Sequence, residues 1–276
     1  MDFRVDFMII GAMKAGTTDL AKKLSAHGKV DFCSQKEPHF FCRHPNWEEH
    51  LDQYHSLFQR DPYKISGEAS TSHSFLGEYP SIVARLFEYN PELRFIYMAR
   101  DPVARIRSHF AHRLMHGIAD RDPERELSIR RAEYINRSQY GATLKAYQDF
   151  FGREQVLPIV FENYIRDPDG TLESVLDFLG LPGQRLNDVS ARHSSTGSNR
   201  SRWSPVFYLD HILAFSPPAV RRVLSRWISV KLREKPQLPR DLALGLWEEL
   251  EPDVALFERV SGLNVDVWRR RWNEMH

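Results

Sequence analysis

The 276-residue chain contains only two cysteines, Cys33 and Cys42, with no CxxC and no even set of closely spaced thiols. No disulfide scaffold or zinc knuckle is therefore required, and two isolated thiols suit a reducing compartment. Long hydrophobic runs are also missing. No stretch approaches the roughly 18 apolar residues of a membrane span, and Met1 to Asp6 carries Asp2, Arg4 and Asp6 in place of a signal-peptide pattern. A soluble, cytoplasmic protein without a membrane span is expected. Charge of one sign is lacking as well: 38 Lys and Arg stand against 37 Asp and Glu. General nucleic-acid binding needs a basic excess, so no nucleic-acid partner is expected. There is no internal repeat and no low-complexity segment. The remaining composition, 42% hydrophobic and 27% charged, is that of an ordinary globular chain, and one domain over residues 1–276 is the expectation. Oligomeric state is not readable.

The apolar residues fall in short runs. Phe7-Met8-Ile9-Ile10 is followed at once by Gly11 and Gly16, then by a helical pattern with Leu20 and Leu24, which reads as strand, turn, helix. Phe95-Ile96-Tyr97-Met98 is a second strand, with Asp101 and Pro102 as N-cap and first residue of a helix that stops near Gly117. A third run, Val156 to Phe161, precedes a helix carrying Leu172, Val175, Leu176 and Leu179 and closed by Gly180 and Pro182. Its interior Pro158 removes a ladder donor, which puts that strand at an edge or a bulge. Apolar runs alternating with helices imply βαβ units. The expected fold is α/β and three-layered, with a mainly parallel central sheet flanked by helices and its ligands at the C-terminal strand ends.

Charge is uneven only locally. Arg121 to Arg131 is dense in both signs and reads as a solvated helix or loop. Between Arg192 and Lys235, nine basic residues stand against Asp210 and Glu234. From Arg221 onward this reads as a surface helix of snorkelling arginines. The polar stretch Ser194 to Arg202 instead offers backbone amides and guanidinium groups suited to an anion. Trp203, Phe207, Tyr208, Leu209, Ile212, Leu213 and Phe215 read as core, with an acceptor-side wall as the alternative. His109, His112 and His116 have helical spacing but no HExxH and no carboxylate pair beside them, so they read as helix surface and no metal is expected.

The most specific signal is Gly11-Ala12-Met13-Lys14-Ala15-Gly16-Thr17-Thr18, directly after the first strand and opening a helix. There, backbone N–H groups and the helix dipole hold an anion. It is not a Walker A loop, because Thr17 follows Gly16 and the lysine, Lys14, sits two positions before that glycine, which disfavours an ATP or GTP kinase. Arg100, at the end of the second strand, and Ser108, two turns along the next helix, are placed to grip a phosphate together.

This combination resembles the sulfotransferases that use 3′-phosphoadenosine 5′-phosphosulfate (PAPS). Lys14-Ala15-Gly16-Thr17-Thr18 is similar to their 5′-phosphosulfate loop, and Arg100-Asp101-Pro102 with Ser108 to their 3′-phosphate motif. Phe161-Glu162-Asn163-Tyr164 through Leu181, and Leu256-Phe257-Glu258 with Gly262 and Trp268, resemble later parts of the family, so the likeness spans nearly the whole chain. Lys36-Glu37-Pro38-His39-Phe40-Phe41 resembles the KExHFF motif of the heparan sulfate sulfotransferase-like branch and its bacterial relatives.

The resemblance implies a P-loop-like fold, PAPS as donor and sulfuryl transfer to a hydroxyl or amine of a carbohydrate, lipid or small-metabolite acceptor. Such a transfer needs positioning and charge stabilisation more than covalent work by the protein. It implies that Lys14 stabilises the leaving phosphate, that Glu37 is the general base, and that His39 orients it or shares its role. Residues 37 and 39 would face one side of a strand. Ala15, Gly16, Thr17, Thr18, Arg100 and Ser108 would bind the donor, with Ser198, Asn199, Arg200 and Arg202 in a late cofactor-covering loop. Ser70 and Thr71 would line the cleft. Two departures from the glycosaminoglycan branch, Cys42 in place of an acidic residue and Ala69 in place of a lysine, point toward another acceptor. From the residues alone, a P-loop nucleotide kinase and a non-catalytic nucleotide-binding module stay open.

Overall fold

Phe7–Gly11 forms β1 with all five residues buried, as befits a parallel strand covered on both faces. The elements then follow as α1 (Thr17–Ser25), β2 (Val30–Phe32), α2 (Phe40–Arg43), α3 (Leu51–His55), β3 (Ile65–Ala69), α4 (Ile82–Tyr89) and β4 (Arg94–Ala99). After them come α5 (Pro102–Met115), α6 (Pro123–Ile129), α7 (Arg131–Asn136), α8 (Tyr140–Phe151), β5 (Val156–Val160), α9 (Phe161–Arg166), α10 (Pro168–Phe178), α11 (Arg240–Ser261) and α12 (Asp266–Asn273). The computed structural model describes residues 3–181 and 236–274.

The five strands form one sheet in the order β2-β3-β1-β4-β5, and every pair is parallel. Helices flank it in the P-loop-like, three-layer manner. Two strands beyond the three expected, β2 and β3, fill one side of β1; they carry Asp31, Ser66, Gly67 and Glu68, which dilute the apolar signal. β5 is an edge, and Pro158 lies opposite Tyr97 there. With a partner on one side only, the missing N–H leaves no second ladder open. Phe7 sits opposite Gly67 in the register. The glycine is required by packing: a Cβ on Gly67 would lie 2.1 Å from Phe7 Cζ.

α5 starts as expected. Asp101 caps it by accepting from the Ala104 amide at 2.9 Å, with Pro102 as its first residue. The C-terminal helices lock onto the same strand ends. Trp272 Nε1 donates to Asp101 Oδ2 at 3.2 Å. Glu162, just after β5, accepts from Trp268 Nε1 at 2.7 Å and from the Asp101 amide at 3.2 Å.

Three expectations are corrected. Residues 36–41 are not a strand, because Glu37 and His39 adopt left-handed backbone angles and α2 begins at Phe40. The segment from Arg121 to Arg131 is not wholly solvated: Glu126 is buried and accepts from Arg113 Nε at 2.8 Å. His109 is not surface either; it is buried on α5, with Nε2 3.6 Å from Glu133. A buried Arg–Glu pair supplies the partners that let polar α5 face inward.

Gly67→Ala is expected to lower stability by about 1–3 kcal/mol through overpacking against Phe7, read as a reduced urea midpoint. Gly28→Ala, where an added Cβ meets nothing within 4 Å, should stay within about 0.5 kcal/mol of wild type.

Candidate active site

The turn from β1 into α1 is built around two left-handed residues, Lys14 at φ +71° and Gly16 at φ +91°. Gly16 is the N-cap of α1, and among the described residues no side chain caps the helix. The uncapped start leaves first-turn amides facing outward, with the positive end of the helix dipole behind them. Gly16 is also needed sterically, since a Cβ there would sit 2.9 Å from Phe161 Cε2. Lys14 lacks glycine's freedom, and such a residue costs about 1–3 kcal/mol unless its surroundings hold it. Arg100 supplies that hold: its Nη1 donates to the Lys14 carbonyl at 3.0 Å. The same guanidinium lies over the Phe161 ring, 4.7 Å from its centre. Arg100 Nε is buried and has no hydrogen-bond partner among the described residues.

A cleft of about 450 Å³ opens above this turn. Lys14, Gly16, Thr17 and Thr18 line it from the turn, Lys36 and Glu37 from the segment after β2, Thr71 from after β3 and His112 from α5. Burial, reinforced by the charges of Arg100, Lys36 and Arg105, pushes the Lys14 ammonium below its ordinary pKa. Burial likewise holds His112 down to about 4, with Lys14 adding to it. His112 Nε2 is 3.1 Å from His116 Nε2.

Glu37 faces Lys14 across the cleft. Thr71 Oγ1 donates to Glu37 Oε2 at 2.9 Å, and His39 Nε2 lies 3.4 Å from the same oxygen. His39 Nδ1 meets Ser72 Oγ at 2.7 Å. Burial lowers the His39 pKa, against the opposing charge of Glu37. Glu37 and His39 both have positive φ, +48° and +54°. The two side chains meet because the backbone turns back on itself around Pro38.

Beneath them lies a polar floor. The His39 amide donates to Ser70 Oγ at 3.0 Å, and Ser70 Oγ donates to Glu68 Oε2 at 2.7 Å. Tyr54 OH donates to Glu68 Oε1 at 3.3 Å. Glu68 is fully buried, and burial raises its pKa to about 7 against the hydrogen bonds from Ser70 and Tyr54. His73, also fully buried, stands with Nδ1 3.9 Å from Glu68 Oε1 and, among the described residues, no hydrogen bond on either ring nitrogen. Burial pushes it down to about 3, so it stays neutral.

Of the expected site residues, Lys14, Gly16, Thr17, Thr18 and Glu37 share the cleft, and His39 and Arg100 touch it through Glu37 and Lys14. Ala15 is buried beneath the turn. Ser108 is half-buried on α5. Thr71 lines the cleft as expected, while Ser70 lies below it. Ser198, Asn199, Arg200 and Arg202 lie outside the described residues, as do the aromatic stretch 203–215 and the basic segment 221–235. Sequence reasoning missed Lys36, Ser72, His112 and the role of Glu68. The available signal was the run Ser70-Thr71-Ser72-His73-Ser74 directly after β3, hydroxyls gathered at a C-terminal strand end. Among the described residues, no three His, Cys, Asp or Glu side chains form a group able to hold a metal ion, and no helix is long and apolar enough to cross a membrane.

An all-parallel sheet, a turn after its central strand that opens an uncapped helix, and a lysine and a carboxylate lining one cleft define a P-loop-like architecture. Residues 4–204 match the family model described as Sulfotransferase domain, and the chain belongs to that family. It is 30% identical over 183 residues to heparan sulfate glucosamine 3-O-sulfotransferase 3B1 of Mus musculus, covering 63% of this chain and 45% of that protein. Carbohydrate sulfotransferase 15 of Mus musculus is 27% identical over 265 residues, covering 71% of this chain and 47% of that protein. Among solved structures, a sulfotransferase from Alicyclobacillus acidocaldarius matches with a TM-score of 0.69 at 25% identity, covering 97% of this chain and 100% of that one. The chain spans about half the length of the curated relatives it matches.

The buried Glu68 gives a pH signature. Between its ordinary value of 4.5 and about 7, the unfolded chain releases a proton that Glu68 keeps in the folded protein, so this group's contribution to stability falls as pH rises through that window and levels off above it, opposite in sign to that of His73 and His112. Glu68→Gln should remove that contribution, so the urea midpoint at pH 8 minus that at pH 5 becomes more positive than in wild type.

Proposed function

We propose that the protein transfers a sulfuryl group from PAPS to a hydroxyl or amine of a carbohydrate, lipid or small-metabolite acceptor, with residues 1–276 acting as one sulfotransferase domain. The observation that carries this reading is that Lys14 and Glu37 line one cleft at the uncapped start of α1. The donor's chemistry suits the residues present: an anion would meet the first-turn amides, Lys14 and the unpaired Arg100 Nε. Family membership favours this over the kinase reading.

In this mechanism Lys14 stabilises negative charge on the departing phosphate, where a cation in a partly dehydrated cleft acts strongly. Glu37 takes the acceptor proton. Thr71 and His39 hold the Glu37 carboxylate in place, and a neutral His39 that accepts from Ser72 at Nδ1 carries its proton on Nε2, facing that carboxylate. Arg100 binds at the nucleotide's phosphate end and braces the turn, with Ser108 further along the same helix. Ser198, Asn199, Arg200 and Arg202 would complete the donor's cover. No metal is needed for these roles.

Titration with adenosine 3′,5′-bisphosphate should give saturable binding, weakened on the order of tenfold or more by Lys14→Ala or Arg100→Ala, the scale of a lost charge-assisted hydrogen bond. Absence of binding to wild type would overturn the reading. Glu37→Gln should keep nucleotide affinity but lower turnover with a true acceptor by about 10²-fold or more, measured as bisphosphate release.

A further inference from the structure

A second cavity of about 260 Å³ adjoins the Lys14 cleft. The two share Thr17, Thr18, Lys36 and Glu37, so the Glu37 carboxylate stands on the partition between them. Strand order separates their outer flanks. Arg100 follows β4, and Phe161 follows β5, on one side of central β1. The second cavity is built on the other side, from the exposed face of α1, the end of β2 and Ala69 at the end of β3.

Its walls differ in chemistry from the donor cleft. Ala21, Phe32, Cys33 and Ala69 contribute apolar surface beside the polar Ser25, Ser34 and Gln35, and among the described residues Lys22 and Lys36 are its cations. Both lysines are exposed, at the rim. Cys33 is an uncharged thiol here, since burial pushes its pKa up to about 12. The volume falls below the roughly 300–1,000 Å³ of sites that take drug-sized ligands. A polyanionic chain would need guanidinium or ammonium groups along the wall; a compact apolar body gains by leaving water there.

We propose that this cavity takes the acceptor, and that the acceptor is a compact alcohol or phenol with an apolar body whose hydroxyl reaches Glu37. This rests on the sulfotransferase reading and specifies its substrate class. Glu37 takes the hydroxyl proton as the acceptor oxygen bonds to sulfur. The bond between sulfur and the donor's phosphate oxygen breaks, its electron pair leaves with that phosphate beside Lys14, and Glu37 then passes the proton to water.

The test uses the full chain with PAPS and, separately, naphthol, hexanol and a heparan sulfate oligosaccharide, with sulfated product and released bisphosphate quantified by mass spectrometry. At least one of the two alcohols should be sulfated, with kcat/KM about tenfold or more above the saccharide. Ala69→Trp should fill the cavity and raise KM for that alcohol by about tenfold or more, with affinity for adenosine 3′,5′-bisphosphate unchanged. Ser25→Trp, on the exposed face of α1 at the mouth, gives the same readout without a core substitution. Transfer to neither alcohol, or an unchanged KM in both variants, overturns the acceptor assignment while bisphosphate binding keeps the donor reading intact. A wild-type chain that does not bind the bisphosphate overturns the donor reading, and this proposal with it.

Discussion

The hydrogen bond from Arg100 to the Lys14 carbonyl ties the end of β4 to the turn after β1. Lys14 sits at a positive φ that a residue with a Cβ adopts only under constraint. The tie holds it there and in doing so sets the direction of the lysine and of the uncapped helix start behind it. Phe161 supports both partners, stacking under the Arg100 guanidinium and packing against Gly16. Glu162, the next residue, fixes the start of the α5 segment and the α12 tryptophan. The turn after β1 is therefore held by three strand ends and a C-terminal helix together.

Opposite the lysine, the carboxylate rests on a layer that is polar and dry at once. Glu68 and His73 are fully buried, and the hydroxyls of Ser70, Ser72 and Thr71 connect that layer upward to His39 and Glu37. Burial favours the neutral form of both Glu68 and His73, so below about pH 7 the layer is largely uncharged. The left-handed turn at Glu37 and His39 depends on this support, as the turn at Lys14 depends on Arg100. Each side of the cleft thus holds a strained backbone in place with hydrogen bonds from a neighbouring strand end.

Family membership and strand order fit one division of labour. The β4 and β5 flank carries the guanidinium and the aromatic ring, and on the β2 and β3 flank Ala21, Phe32, Cys33 and Ala69 give the second cavity an apolar wall. Curated relatives that include heparan sulfate and carbohydrate sulfotransferases share about a third or less of their residues with this chain over the aligned lengths. Acceptor choice is where such relatives have room to differ, because it is set by the walls around a common transfer site.

Local chemistry made much of this legible in the sequence. The buried run Phe7–Ile10 with its glycine-bounded turn, the Asp101-Pro102 cap and the edge position announced by Pro158 each follow from backbone rules acting over a few residues. The pairing of Lys14 with Arg100, 86 positions apart, entered only as two motifs expected to serve one ligand, and their mutual hydrogen bond belongs to the fold. What the sequence hid were the features that depend on non-local partners. Residues 36–41 look like a strand until Thr71, Ser70 and Ser72 pull Glu37 and His39 into left-handed turns. His109 and Glu126 look like surface until Glu133 and Arg113 meet them in the interior. The sequence by itself determined which chemistry was present and the order of the elements that carry it. Tertiary structure decided which groups share a cleft, which charges burial suppresses and which flank is apolar, because dielectric and proximity are properties of packing, not of the residues taken one by one.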